Sequence, residues 1–170
     1  TITSIGSTTL NGAYRAGQTV NITVFFSEAV TLAGGNLELT LNSGAPVVTI
    51  APFGPATSAI GTYTIAAPEA TLDLGITGIA LQGGATLQDA ALNNANLLDP
   101  AGNSLIDNKE IIIDTTAPAY TSITSTTANG SYPLGSNVNL TLNFSESVTL
   151  TGVLTLTLNS GATVQINPFS

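Results

Sequence analysis

Four residue types are missing altogether: the sequence has no cysteine, methionine, tryptophan or histidine. Thiol nucleophiles, imidazole bases and soft-metal sites are therefore excluded, and any catalysis would rest on carboxylates, hydroxyls, tyrosine, Arg15 or Lys109. The missing cysteines do not identify a redox compartment, because disulfides are simply unused. Charge is scarce too, at 7% of residues, and one-sided: Lys and Arg total 2 against 10 Asp and Glu, for a formal net charge of -8. Nucleic acid is excluded as a partner, since non-specific binding depends on Lys and Arg displacing counterions from phosphates. Calcium, a hard cation that prefers oxygen ligands, would be attracted, although an acidic balance is also an ordinary means of staying soluble. No apolar run approaches the roughly 18 residues that span a bilayer, so this segment carries no membrane span. Thr1 opens directly into strand-like sequence without a charged leader, and a secretion signal would lie outside it.

What is present is apolar and repetitive. Hydrophobic residues make up 43% of the 170, enough to fold and to bury a sizeable core. Residues 3–32 return as 121–150, a shift of 118. Asn11, Gly12, Tyr14 and Gly17 recur as Asn129, Gly130, Tyr132 and Gly135. Phe26-Ser27-Glu28 recurs as Phe144-Ser145-Glu146, and residues 39–44 return as 156–161 after one residue is lost near Gly34-Gly35. A second loss brings Pro52-Phe53 onto Pro168-Phe169. The period is too long for a solenoid and suits a whole sandwich domain of about 100 residues. The expected organisation is a complete module over residues 1–116 and the first strands of a second, truncated module over 117–170. Pro118, with no N–H and an extended predecessor, stiffens the join.

Val20, Ile22, Val24 and Phe26 alternate with more polar positions, the signature of a half-buried strand. The repeat keeps this face apolar, as Val138, Leu140, Leu142 and Phe144, while outward Phe25 becomes Asn143. Leu37, Leu39 and Leu41 mark a second strand, repeated as Leu154, Leu156 and Leu158. Further strands are expected over residues 2–7, 47–51, 60–67, 76–81 with 86–88, and 109–114. Residues 89–98 read as a long loop or a turn or two of helix. About seven short strands between Gly-rich turns predict an all-β fold of tandem immunoglobulin-like antiparallel β-sandwiches. In the second module an apolar face over 138–158 lacks cover, to be completed by a longer chain or by strands of another copy.

Four motifs carry a resemblance: Asn-Gly-x-Tyr at residues 11–14, Phe-Ser-Glu-x-Val at 26–30, Asp-Ala-Ala at 89–91 and Ile-Asp-Thr-Thr-Ala-Pro at 113–118. In these the chain resembles the bacterial Ig-like repeats of large surface adhesins and RTX-type exoproteins. One position departs from the pattern: the usual Gly and Asn after Asp-Ala-Ala are Leu92 and Asn93. The resemblance implies a secreted or cell-surface location and neighbouring modules, or copies of the same protein, as partners. The expected function is that of a structural module of an extracellular bacterial fibre or adhesin, a spacer or filament-forming unit. The alternative is an adhesin module that binds a cell-surface glycan or protein through its acidic loop 89–107. An enzyme is not expected, since no pair of carboxylates is accompanied by the Trp, His and Arg density usual in glycosidase clefts.

Immunoglobulin-like topology sorts the carboxylates by end. Glu28 and loop 89–107, with Asp89, fall at the N-terminal pole, whereas Glu69, Asp73 and Asp114 fall at the other. Stacked modules would then bring Asp114 towards Glu146, the counterpart of Glu28. Asp114, Glu146, Glu28, Asp73 and Asp89 are the candidate calcium ligands, at module junctions. The competing reading is that such residues as Glu28 and Asp114 cap local turns through backbone N–H groups. Tyr14 and Tyr132 are expected to pack under the Asn-Gly turn with the hydroxyl bonded. Four Asn-x-Ser/Thr acceptor patterns, at Asn21, Asn129, Asn139 and Asn143, are what chance gives in so Asn-, Ser- and Thr-rich a chain.

Overall fold

The structure, a computed structural model, describes residues 1–170. With 48% of them in strands and 2% in helix, the chain is all-β. It divides into two units, Thr1–Thr116 and Ala117–Ser170. In chain order the first contains β1 (Ile2–Gly6), β2 (Gly12–Tyr14), β3 (Thr19–Ala33), β4 (Asn36–Leu41), β5 (Val47–Ile50), β6 (Phe53–Thr64), β7 (Ala70–Thr71), β8 (Ile76–Gln82), β9 (Thr86–Gln88), the single-turn helix α1 (Leu105–Asn108) and β10 (Ile111–Asp114). The second contains β11 (Tyr120–Thr124), β12 (Thr141–Phe144), β13 (Leu154–Thr157) and β14 (Thr163–Ile166).

Three sheets enclose the core of the first unit in a sandwich-like arrangement. One runs β1-β3-β6, with β9 alongside the end of β3; a second runs β5-β4-β8; a third runs β2-β10-β7. All pairings are antiparallel except that of β2 with β10. The alternation seen in the sequence decides the faces: Val20, Ile22, Val24 and Phe26 are buried, as are Leu37, Leu39 and Leu41. Each such side chain contributes roughly 1.5–3 kcal/mol over leaving it in water. β3 does not end at Phe-Ser-Glu as expected. Its pairing with β6 jumps from Phe25↔Ser58 to Val30↔Ala56, so the motif is a bulge that leaves Ser27, Glu28 and Ala29 exposed before Val30 and Leu32 turn inward again.

Two glycines are demanded by close approach. A Cβ on Gly35 would lie 1.9 Å from the Gln82 carbonyl oxygen, because the turn after β3 abuts the turn after β8. A Cβ on Gly61 would lie 2.5 Å from Val48 Cγ1 and 3.0 Å from Ile50 Cγ1, because β6 packs directly on β5.

The second unit repeats the local pairings of the first. β11 meets β12 through Tyr120↔Phe144, Ser122↔Asn143, Ile123↔Leu142 and Thr124↔Thr141. These are Ile2↔Phe26, Ser4↔Phe25, Ile5↔Val24 and Gly6↔Thr23 displaced by 118, with the same irregularity after the first pair. β13 and β14 likewise copy β4 and β5, Leu154↔Ile166 standing for Leu37↔Ile50. No residue of this unit is buried.

Candidate functional site

Four of the candidate calcium ligands, Glu28, Asp73, Asp89 and Asp114, belong to the first unit, and Glu146 belongs to the second. No group of three or more acidic side chains is placed so that it could hold a metal ion. Glu28 projects from the bulge in β3 and is exposed. Asp114 Oδ1 accepts a hydrogen bond from Thr116 N at 2.9 Å and so closes the turn that leaves β10. Glu146 is exposed beside Ser145, whose hydroxyl accepts from Ala119 N at 2.9 Å.

Asp89 is committed to its own loop. Its Oδ1 accepts from Ala91 N and Asn93 N, both at 2.8 Å, and its Oδ2 from the Asn93 side-chain amide at 2.8 Å. The Asn93 side chain, then its backbone N–H, hold this carboxyl below the usual aspartate range. Leu92 sits in this loop at φ 66. Asp107 is committed in the same manner: its Oδ2 accepts from Ser104 N at 2.9 Å at the start of α1, and that bond lowers its pKa. Asp99, by contrast, is shifted up, by burial first and then by the charge of Asp107.

The division of carboxylates between two poles needs correcting. Asp73 and Asp107, expected at opposite ends, line one cavity together with Asn11, Asn108, Lys109 and Glu110. The reason is the course of residues 96–108, which do not hang free as a loop tip. Ile2 N donates to Asn96 O at 3.3 Å and Ile5 N to Asn103 O at 2.9 Å, so the segment runs along the open edge of β1. Asn108 Nδ2 then donates to Ile5 O at 2.8 Å, and α1 carries the chain on to β10. Asp73 Oδ1 is buried with no hydrogen-bond partner, and Lys109, the one lysine of the chain, lines the same cavity.

A polar cluster that sequence reasoning missed lies at the end of the first unit. Tyr63 Oη donates to Glu69 Oε2 at 2.6 Å, which leaves Ser43 Oγ, 3.0 Å away, as donor to the phenol. Ala66 N also donates to Glu69 Oε2, at 2.7 Å, and Thr115 Oγ1 to the Glu69 carbonyl at 2.9 Å. Burial, then the bond to Glu69, push the Tyr63 pKa up to about 12. The cluster ties β6 to the segment leaving β10; its members are too far apart in sequence for any local pattern to announce it. The hydroxyls of Tyr14 and Tyr132 are bonded as expected, each donating to the carbonyl four residues upstream, Leu10 at 2.8 Å for Tyr14 and Ala128 for Tyr132, but the Tyr132 ring is 46% exposed and is not packed away.

Comparison with protein-family models, with curated proteins and with solved structures finds no match in any of the three. No helix is long and apolar enough to cross a membrane. Four of the ten acidic side chains, Glu69, Asp89, Asp107 and Asp114, act within the fold: they close turns, start a helix and hold the Tyr63 hydroxyl.

Proposed function

We propose that the chain is made of tandem immunoglobulin-like modules of a bacterial extracellular fibre or cell-surface adhesin, and that its work is mechanical: to space, project or assemble. The observation that carries this reading is the shared register of the two units, down to the same irregularity between β1 and β3 and between β11 and β12. One bead duplicated in one chain is what a spacer requires. The immunoglobulin-like assignment is supported by strand order: β1, β3 and β6 correspond to strands A, B and E of one sheet, and β4 and β8 to C and F of the other. Neighbouring modules, or copies of the protein, are its partners.

The rival reading, a glycan- or protein-binding module, would use the acidic loop 89–107. That loop spends its Asp89 and Asp107 carboxylates on its own backbone and lies bonded along β1, which supports a structural task for it. Small-angle scattering on one and on several joined copies of residues 1–116 tests the proposal. The 12 residues of β6, at about 3.3 Å each, set a module length near 40 Å. The maximum dimension is expected to grow by about that amount per copy, and a glycan array to stay blank. Globular growth, or binding abolished by changes within residues 89–107, would overturn the mechanical reading.

A further inference from the structure

The segment between β9 and β10 is the longest stretch of the first unit without a strand of its own, and much of it lies along β1. Ile2 N donates to Asn96 O at 3.3 Å and Ile5 N to Asn103 O at 2.9 Å. Asn108 Nδ2 donates to Ile5 O at 2.8 Å and to Asn103 O at 2.9 Å. Both partners are carbonyl oxygens, so only the NH2 end of the amide fits there, and both of its donors are used. Ile5 is thus held from two directions: its backbone N–H and C=O bond to this segment, and its side chain is fully buried. β3 holds the opposite edge of β1, with Val24 facing Ile5.

The segment is itself fastened at both ends. Upstream, Ala95 N donates to Leu87 O at 2.8 Å, and Leu87 belongs to β9, which pairs with β3. Downstream, Leu105 of α1 is fully buried, and Asp107 accepts from Ser104 N at the start of that turn. Asn108 ends α1, and after Lys109 and Glu110 the chain continues as β10. The Asn108 amide therefore ties the first strand of the unit to the turn that leads into its last, across 103 residues of sequence. Those two strands are also where tension meets the unit. β10 ends at Asp114, and β11, which repeats the register of β1, begins at Tyr120. In a chain of such units pulled from its ends, each first strand is pulled from in front and each last strand from behind.

We propose that residues 96–108 are a tension-bearing strap, and that the Asn108 side chain passes pull on β1 directly to α1 and β10. The inference rests on the mechanical reading above and gives the long loop its task within it. A strand bonded along one edge only can be peeled away one bond at a time. Held along both edges, β1 gives up its bonds together, and the pull is shared with β10 before β3 must yield. Covering a strand edge also excludes other strands; a pull that reaches β1 and one that bypasses it tell the two tasks apart.

The test stretches the whole 170-residue chain at constant force; because it has no cysteine, handles can be fixed at two introduced thiols. With Thr1→Cys and Thr116→Cys the pull reaches the first unit through β1, and with Asn11→Cys and Thr116→Cys it bypasses β1. The first pair alone is expected to open in one step of about 400 Å, the stretched length of the unit. Adding Asn108→Ala is expected to shorten the lifetime before the first step by about tenfold or more, since two hydrogen bonds are lost. That first step is then the release of β1, no more than about 40 Å, the stretched length of residues 1–11. Asn108→Asp, which keeps the shape of the side chain and removes both donors, is expected to do the same. Under the bypassing pull neither substitution is expected to change the lifetime. Forced opening reads the barrier and not the equilibrium stability, so an equal shortening in both geometries assigns Asn108 to stability alone and overturns the proposal. An unchanged lifetime with no short step under the pull through β1 overturns it too. Module length by scattering is measured without force, so failure of the spacer reading is seen separately.

Discussion

Replacing Leu92 with Gly is expected to stabilise the first unit. Leu92 holds φ 66 within the loop that Asp89 organises, with Leu92 N bonded to Asp89 O at 3.1 Å and Asn93 N to Asp89 Oδ1 at 2.8 Å. The left-handed conformation costs a residue with a Cβ roughly 1–2 kcal/mol. Glycine removes that cost but forfeits about 0.5–1 kcal/mol through its freer unfolded chain. The leucine side chain is 73% exposed, so its removal gives up little packing. The balance is a gain of about 0.5–1 kcal/mol, or roughly 2–5 °C in Tm for a unit of this size. Scanning calorimetry of Leu92→Gly, Leu92→Ala and Leu92→Asn separates strain from side-chain loss. Alanine keeps the strain and is expected to leave Tm close to that of the unaltered chain; asparagine, which tolerates this conformation, falls between. Equal melting of the Ala and Gly variants would refute the argument, because the effect would then belong to the lost side chain and not to the backbone.

Tyr63→Phe strips the buried Ser43 hydroxyl and Glu69 Oε2 of a partner and is expected to cost about 1–3 kcal/mol in urea unfolding. Tyr63 also sets an alkaline limit: its folded pKa, about 12, lies above the ordinary tyrosine value of 10.0, so its contribution is complete below pH 10 and is lost as pH rises through 12. The Phe variant should lack that part of the decline, as tyrosinate absorbance and stability measured together will tell. Gly61→Val within the chain forces a Cβ to 2.5 Å from Val48 Cγ1 and is expected to destabilise by about 1–3 kcal/mol; chemical denaturation reads it, and an unchanged midpoint would mean that β5 yields freely. For calcium, the expectation attached to Asp114, Glu146, Glu28, Asp73 and Asp89 is a heat of binding and a rise in Tm reversed by EDTA, and identical melts with and without the chelator would remove the ion.

How far the sequence could be read depended on where the apolar mass lies in each strand. β3 and β4 were legible because large residues occupy every inward position, from Val20 to Phe26 and from Leu37 to Leu41. β6 was only half legible. Its inward residues include Ala59 and Gly61, while Ile60 points out and is 60% exposed, so hydrophobicity peaks on the wrong face. That inversion follows from the seam with β5, where Val48 and Ile50 already fill the space. β2 and β7 are too short for any period to register, and α1 is a single turn announced only by Ser104 and Asp107. The carboxylates were found, but only some of their duties. Asp89 and Asp114 serve the local turns that were the competing reading, whereas the Glu69 cluster joins Ser43, Tyr63 and Thr115 across the fold.

The duplicated strands separate what a sequence segment settles for itself from what it receives from elsewhere. Ile5 and Ile123 lie in near-identical surroundings along the chain, and each faces the same kind of partner in the same register, Val24 or Leu142. Yet Ile5 is fully buried and Ile123 is not. Strand pairing is thus encoded locally, by alternation and by turns, but burial is conferred by β6 and by the residues after it. The same holds for edges. β1 has its outer N–H groups taken up by Asn96 O and Asn103 O, whereas β11 has no such segment beside it.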